Sequence, residues 1–87
     1  MKVFGRNEMA TLSLAMIVRD EERTLDRILS DAKNFCDELI VVDTGSIDDT
    51  VEIARSHGAK VFYFEWIDDF GAARNYSFEQ ATGDWVI

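Results

Sequence analysis

The stretch LIVVDTGSIDDTVEIA, Leu39 to Ala54, decides the fold class. Its first half is a run of aliphatic, largely β-branched residues that ends on Asp43, and a short run of this kind predicts a strand covered on both faces. Its second half places Val51, Ile53 and Ala54 behind a polar loop, at the contacts of a helical face. Between them lie Thr44, Gly45 and Ser46, small residues that let the backbone turn or pass close to a ligand. Ser46 or Asp48 is expected to cap the helix and Gly58 to stop it. A strand over 38–43 thus runs into a helix through a small-residue loop, half of a parallel crossover.

The flanking segments repeat the scheme. TLSLAMIV (11–18) predicts another buried strand, closed by the charged RDEE. Leu25, Ile28, Leu29 and Ala32 recur at helical spacing, continued by Phe35 and Cys36, and predict a helix over about 21–35. Asp20 is its expected cap, and Glu21 and Glu22 suit the positive end of its dipole. AKVFYF (59–64) predicts a third strand, AARNYSFEQATG (72–83) a shorter helix stopped by Gly83, and DWVI the start of a fourth strand. Strands alternating with helices predict an α/β fold, a mostly parallel, Rossmann-like sheet with helices on both faces. Residues 1–10 are expected to be a flexible leader and 11–87 the ordered portion, truncated at the fourth strand of a larger domain.

Composition narrows the function. A chain of 87 residues holds one small core, and its 47% hydrophobic content is that of a folded protein. No apolar run approaches the roughly 20 residues of a membrane span. With 9 basic and 17 acidic residues the net charge is −8, which repels nucleic acid and anionic lipid. A phosphorylated small molecule needs local help against that charge. Cys36 is the single cysteine and reads as a buried, inert thiol. No signal peptide is legible at the start, and the cytoplasm is the expected compartment. His57, in the last turn before Gly58, reads as structural, and ERTLDR as a solvated face. No His/Cys cluster has metal-ligand spacing.

In open parallel sheets, ligands bind beyond the carboxyl ends of the strands. Asp43 and RDEE both fall there. Asp43 is able to hydrogen-bond a polar ligand, but ordinary turn chemistry, an Asp bonding its own backbone with Ser capping the next helix, uses the same residues.

The order SLAMIVRDEE, DELIVVDTGSIDDTVEIA, GAKVFYFEWIDDFGAARNYSFEQATGDWVI closely resembles the N-terminal half of family 2 glycosyltransferases, enzymes of GT-A fold that use nucleotide-sugar donors. The resemblance covers Thr11 to Ile87. It implies a donor site, for a UDP-sugar, in which Ile17, Val18, Arg19 and Glu21 with Asp43, Thr44, Gly45 and Ser46 hold the base and ribose. A carboxylate there accepts the N3–H of uracil. Many members carry Asp-Asp where this chain has Asp43-Thr44, which leaves open which position meets the base. Asp68 and Asp69 are expected near the donor, or as caps of the next helix. Arg74 is expected to face the diphosphate, or to form a surface ion pair. Trp66 and Phe70 are expected to pack in the core, the alternative being platforms for a sugar.

The same resemblance places the Asp-x-Asp motif that holds Mg²⁺ or Mn²⁺, the catalytic base and the acceptor contacts beyond Ile87. The chain is therefore expected to contain no catalytic residue and to be inactive alone, as the donor-binding half of an enzyme in the cytoplasm or at the inner membrane face. Two other readings are open. In a receiver-like phosphoacceptor module Asp43 is the acceptor and Asp20, Glu21 and Glu22 bind Mg²⁺, although the required later-strand hydroxyl and lysine are missing. In a non-catalytic interaction fragment, an exposed strand edge pairs copies into a homo-oligomer.

Overall fold

The computed structural model describes residues 10–87. The leader expected over 1–10 lies, Ala10 apart, outside the described residues. Four strands, β1 (Leu12–Val18), β2 (Glu38–Asp43), β3 (Lys60–Tyr63) and β4 (Trp85–Val86), form one sheet in the order β3-β2-β1-β4. Every pairing is parallel, and the registers bring Val18, Asp43 and Tyr63 abreast at the carboxyl edge.

Because strand side chains alternate, the sheet carries two cores. On one face Leu14, Met16, Val18, Leu39 and Val41 pack against Leu25, Leu29 and Ala32 of α1 (Leu25–Ala32) and Ile53 and Ala54 of α2 (Thr50–Ser56). On the other, Ala15, Ile40, Val42 and Phe62 pack with Tyr76 of α3 (Phe70–Gln80). Helices on both faces follow from handedness: the chain steps from β1 through β2 to β3, then reverses past β1 to β4. A right-handed crossover in the reverse direction lays its helix on the opposite face. The reversal occurs at β1, and a crevice opens beyond the carboxyl end of a sheet where the strand order reverses.

Helices α1 and α2 start later than their predicted caps imply, because Asp20 and Ser46 bond across the loops at the carboxyl edge. Asp20 does not cap α1. It adopts a left-handed φ of 53°, and its carboxylate accepts the N–H of Ile47 at 2.9 Å. Residues 21–24 form a turn, closed by Leu25 N–H on the Glu21 carbonyl, before the helix proper begins. At the other end Phe35 and Cys36 fall outside α1, and Phe35 is 55% exposed. Burial, aided by the charge of Asp37, pushes the Cys36 thiol up, away from thiolate chemistry.

Neither Ser46 nor Asp48 is the N-cap of α2, which starts after Asp49. Gly58, with φ of 79°, does end it. His57 bonds through Nε2 to Asp26 of α1 at 2.8 Å, tying the two helices together. The third helix starts two residues earlier than predicted because Asp69 caps it, its carboxylate accepting the Ala72 N–H at 3.0 Å. It ends at Gln80, so Gly83 is not its stop. Instead, Gly83 lets β4 approach β1: its N–H donates to Ser13 Oγ at 2.9 Å.

Candidate functional site

Beyond the carboxyl ends of β1 and β2 lies a crevice of about 310 Å³, lined by Ile17, Val18, Arg19, Glu21, Thr44, Trp66 and Phe70. β1 supplies Ile17 and Val18 and the loop after it Arg19 and Glu21. Thr44 follows β2, and the two aromatics come from the β3–α3 connection. Three crossovers thus converge on one place, although each is local in sequence.

Thr44 is held by two bonds to the Val18 carbonyl, from its N–H and its hydroxyl, both at 3.1 Å. This fixes the floor of the crevice to β1. Asp43 is not in the lining. Its carboxylate is buried, 5% exposed, and accepts the N–H groups of Gly45 and Ser46 at 3.1 Å each. That is the turn chemistry predicted as the ordinary alternative, with Asp43 shaping the loop from beneath. Gly45 (φ 118°) makes the tight turn in a backbone region that side chains rarely occupy, and Ser46 Oγ accepts the N–H of Asp20 at 2.8 Å.

Trp66 and Phe70 overturn the core-packing expectation. Phe70 is 56% exposed, and both line the crevice. Asp68 accepts the Trp66 indole N–H at 2.9 Å, and Asp69 caps the helix whose first residue is Phe70. The two carboxylates therefore set the aromatic wall from behind. Arg74 lies outside the lining, its guanidinium 5.1 Å from the centre of the Phe78 ring. Of the sequence-predicted residues, Ile17, Val18, Arg19, Glu21 and Thr44 come together. Asp43, Gly45, Ser46, Asp68 and Asp69 brace the surrounding loops. Sequence alone favours core packing over a sugar platform for the aromatic pair, because an aromatic beside a strand end is usually core; the acidic residues between Trp66 and Phe70 are the signal that this segment faces outward.

A larger hollow, about 420 Å³, lies at the opposite, amino edge of the sheet, beside Lys33, Cys36, Glu38, His57 and Lys60. Its central carboxylate, Glu38, is saturated by protein donors: Ser13, Lys60 and both the N–H and hydroxyl of Thr82. This saturation marks a structural clasp. Among the described residues, no group of three or more His, Cys, Asp or Glu side chains is placed to hold a metal ion. No helix among them is long and apolar enough to cross a membrane.

Residues 13–87 match the family model described as Glycosyl transferase family 2. The chain belongs to glycosyltransferase family 2. Among the relatives of this family 2 chain, a TPR repeat-containing protein of Synechococcus elongatus is 54% identical over 79 residues, covering 91% of this chain and 20% of that protein. An uncharacterized glycosyltransferase of Rickettsia typhi is 38% identical over 79 residues, 91% of this chain and 27% of the relative. Among solved structures, glucosyl-3-phosphoglycerate synthase from Mycobacterium tuberculosis in complex with UDP superposes with a TM-score of 0.76 at 29% identity, over 90% of this chain and 32% of the synthase. The same synthase has been solved with Mn²⁺ and UDP-glucose. The family 2 chain thus spans between a fifth and a third of the length of these relatives. The GT-A-type α/β fold follows from these matches.

Proposed function

We propose that the crevice binds the nucleotide of a nucleotide-sugar, a UDP-sugar, and that this chain is the donor-recognition part of a larger glycosyltransferase. The observation that carries the proposal is the convergence of Ile17, Val18, Arg19, Glu21 and Thr44 with Trp66 and Phe70 on a single crevice. Its volume suits a small ligand. Aromatic faces suit a flat base, Glu21 supplies a carboxylate able to accept the uracil N3–H, and Arg19 brings positive charge that an anionic ligand needs against a net charge of −8. Thr44 lines the crevice while Asp43 shapes its loop, which supports Thr44 as the residue on the base side. The UDP-bound synthase, alike in fold, supports the choice of nucleotide.

In this proposal Mg²⁺ or Mn²⁺ would be held mostly by ligands outside this chain and would neutralise charge on the donor diphosphate; the synthase solved with Mn²⁺ and UDP-glucose supports that choice. The base and ribose contacts are independent of the metal. No group in the crevice is assigned as catalytic base, and the chain alone is expected to transfer no sugar; turnover of a UDP-sugar by the 87-residue chain contradicts that.

Titration of the chain with UDP, with and without Mn²⁺, followed by backbone amide shifts, is the test. Shifts confined to Ile17–Arg19, Glu21, Thr44–Ser46 and Trp66 support the site. Unmoved amides there at millimolar UDP refute it. Self-association is part of the same proposal: β4 lies at the sheet edge, and Trp85 and Ile87 are 68% and 52% exposed. A monomer mass by light scattering at high concentration counts against the pairing.

A further inference from the structure

Residues alternate in role along the loop after β1. Arg19 and Glu21 line the crevice, whereas Asp20 and Glu22 are outside the lining and bond to the loop after β2. The Asp20 bonds are reciprocal: its N–H donates to Ser46 Oγ at 2.8 Å, and its Oδ1 accepts the N–H of Ile47 at 2.9 Å. Glu22 repeats the pattern, with its N–H on Asp48 Oδ2 at 3.3 Å and its Oε1 accepting the N–H of Asp49 at 3.0 Å. Between them the Glu21 N–H donates to the hydroxyl of Thr50 at 2.8 Å.

The partner loop is itself braced. Burial raises the pKa of Asp48, but donors from Thr50 and Glu22 outweigh it and hold the carboxyl below its ordinary value. Asp20 sits at φ 53°, a conformation in which Asp and Asn are tolerated better than most side chains. That backbone turn allows one residue to present both its N–H and its carboxylate to a neighbouring loop while its flanking residues line the crevice.

We infer that Asp20, supported by Glu22, is a positioning residue: it holds the Arg19–Glu21 wall against the β2–α2 loop, so the crevice stands formed before a ligand arrives. A wall fixed in advance spares the ligand the entropy of ordering it, which appears as affinity. The affinity readout rests on the nucleotide reading above; the mobility readout does not.

The test compares Asp20→Asn, Asp20→Gly and Glu22→Ala in the 87-residue chain. Asparagine keeps both the acceptor and the left-handed backbone, while glycine keeps only the backbone. Asp20→Asn is expected to bind UDP within about twofold of the wild type, Asp20→Gly about tenfold more weakly and Glu22→Ala about threefold more weakly. Without nucleotide, the ¹⁵N order parameters of Arg19 and Glu21 fall in Asp20→Gly and return in Asp20→Asn, and the Ile47 amide exchanges faster in the glycine variant. Unchanged order parameters in Asp20→Gly overturn the inference whatever UDP does. Wild-type UDP affinity in the face of a loosened wall overturns it as well. If the wild type binds no UDP while Asp20→Gly loosens the wall, the nucleotide reading fails and the positioning role holds. Should Asp20→Gly not fold, Glu22→Ala carries the same readouts through the Asp49 amide.

Discussion

Glu38 has both oxygens occupied at the amino edge of the sheet. Oε1 accepts from the Ser13 hydroxyl at 2.7 Å and the Thr82 N–H at 2.8 Å; Oε2 accepts from Lys60 at 2.8 Å and the Thr82 hydroxyl at 2.9 Å. These donors, Lys60 foremost, hold its pKa at about 2 against an ordinary 4.5. A carboxyl depressed in the folded state stabilises above its unfolded value and loses that contribution as pH falls through the folded one. Stability is therefore expected to drop between pH 4.5 and about 2, by an amount of order 2 kcal/mol after discounting for nearby solvent. Urea titrations across that window measure the drop, and Glu38→Gln is expected to flatten it. Gly83 belongs to the same clasp. A Cβ there would collide with Ser13 Oγ and lie 3.0 Å from the Ser13 nitrogen. Gly83→Ala is expected to destabilise by about 1–3 kcal/mol, through strain at the β1–β4 contact, and a lowered urea midpoint with unchanged slope is the readout. None of the partners of Glu38 was legible in the sequence, because Ser13, Lys60 and Thr82 are 25, 22 and 44 residues away from it.

The helices show how far periodicity reaches at the scale of an element. In α1, spacing correctly picks Leu25, Leu29 and Ala32, all buried, but it also picks Ile28, which is 39% exposed. The buried stripe is narrower than the apolar one, because only the strip over Val18, Leu39 and Val41 has a sheet beneath it. Leu29→Ala is expected to cost about 2–4 kcal/mol, as a cavity in a closed core, and Ile28→Ala under about 1 kcal/mol. Paired denaturation curves decide between these; equal losses would contradict the packing described. The caps failed for a different reason. A cap is a local rule, and Asp20 and Ser46 are engaged between the two loops at the carboxyl edge, while Asp48 divides its carboxylate between Glu22 across the loops and the N–H of Thr50, the first residue of α2. Asp69, in a loop without such a neighbour, caps α3 as a local rule would have it.

For the molecule as a whole, the net charge of −8 opposes an anionic ligand wherever it docks. Salt shortens the reach of that repulsion, with a screening length of about 30 Å at 0.01 M and about 8 Å at 0.15 M. UDP is thus expected to bind several-fold more tightly at 0.15 M than at 0.01 M, opposite to the trend of a basic nucleotide site. Calorimetric titration at both salts measures it, and weaker binding at the higher salt would show that Arg19 dominates the field at the crevice. By itself the sequence determined the α/β class, the strand segments and the end of the sheet where the candidate site lies. Those features are written in patterns of adjacent residues, which record which faces are buried. Tertiary structure alone decided the strand order, the aromatic wall of Trp66 and Phe70, and which carboxylates face the crevice and which brace loops. Those choices depend on donors far off in the chain, such as Ile47 for Asp20, 27 residues on, and folding brings such groups together only by closing the crossovers between them.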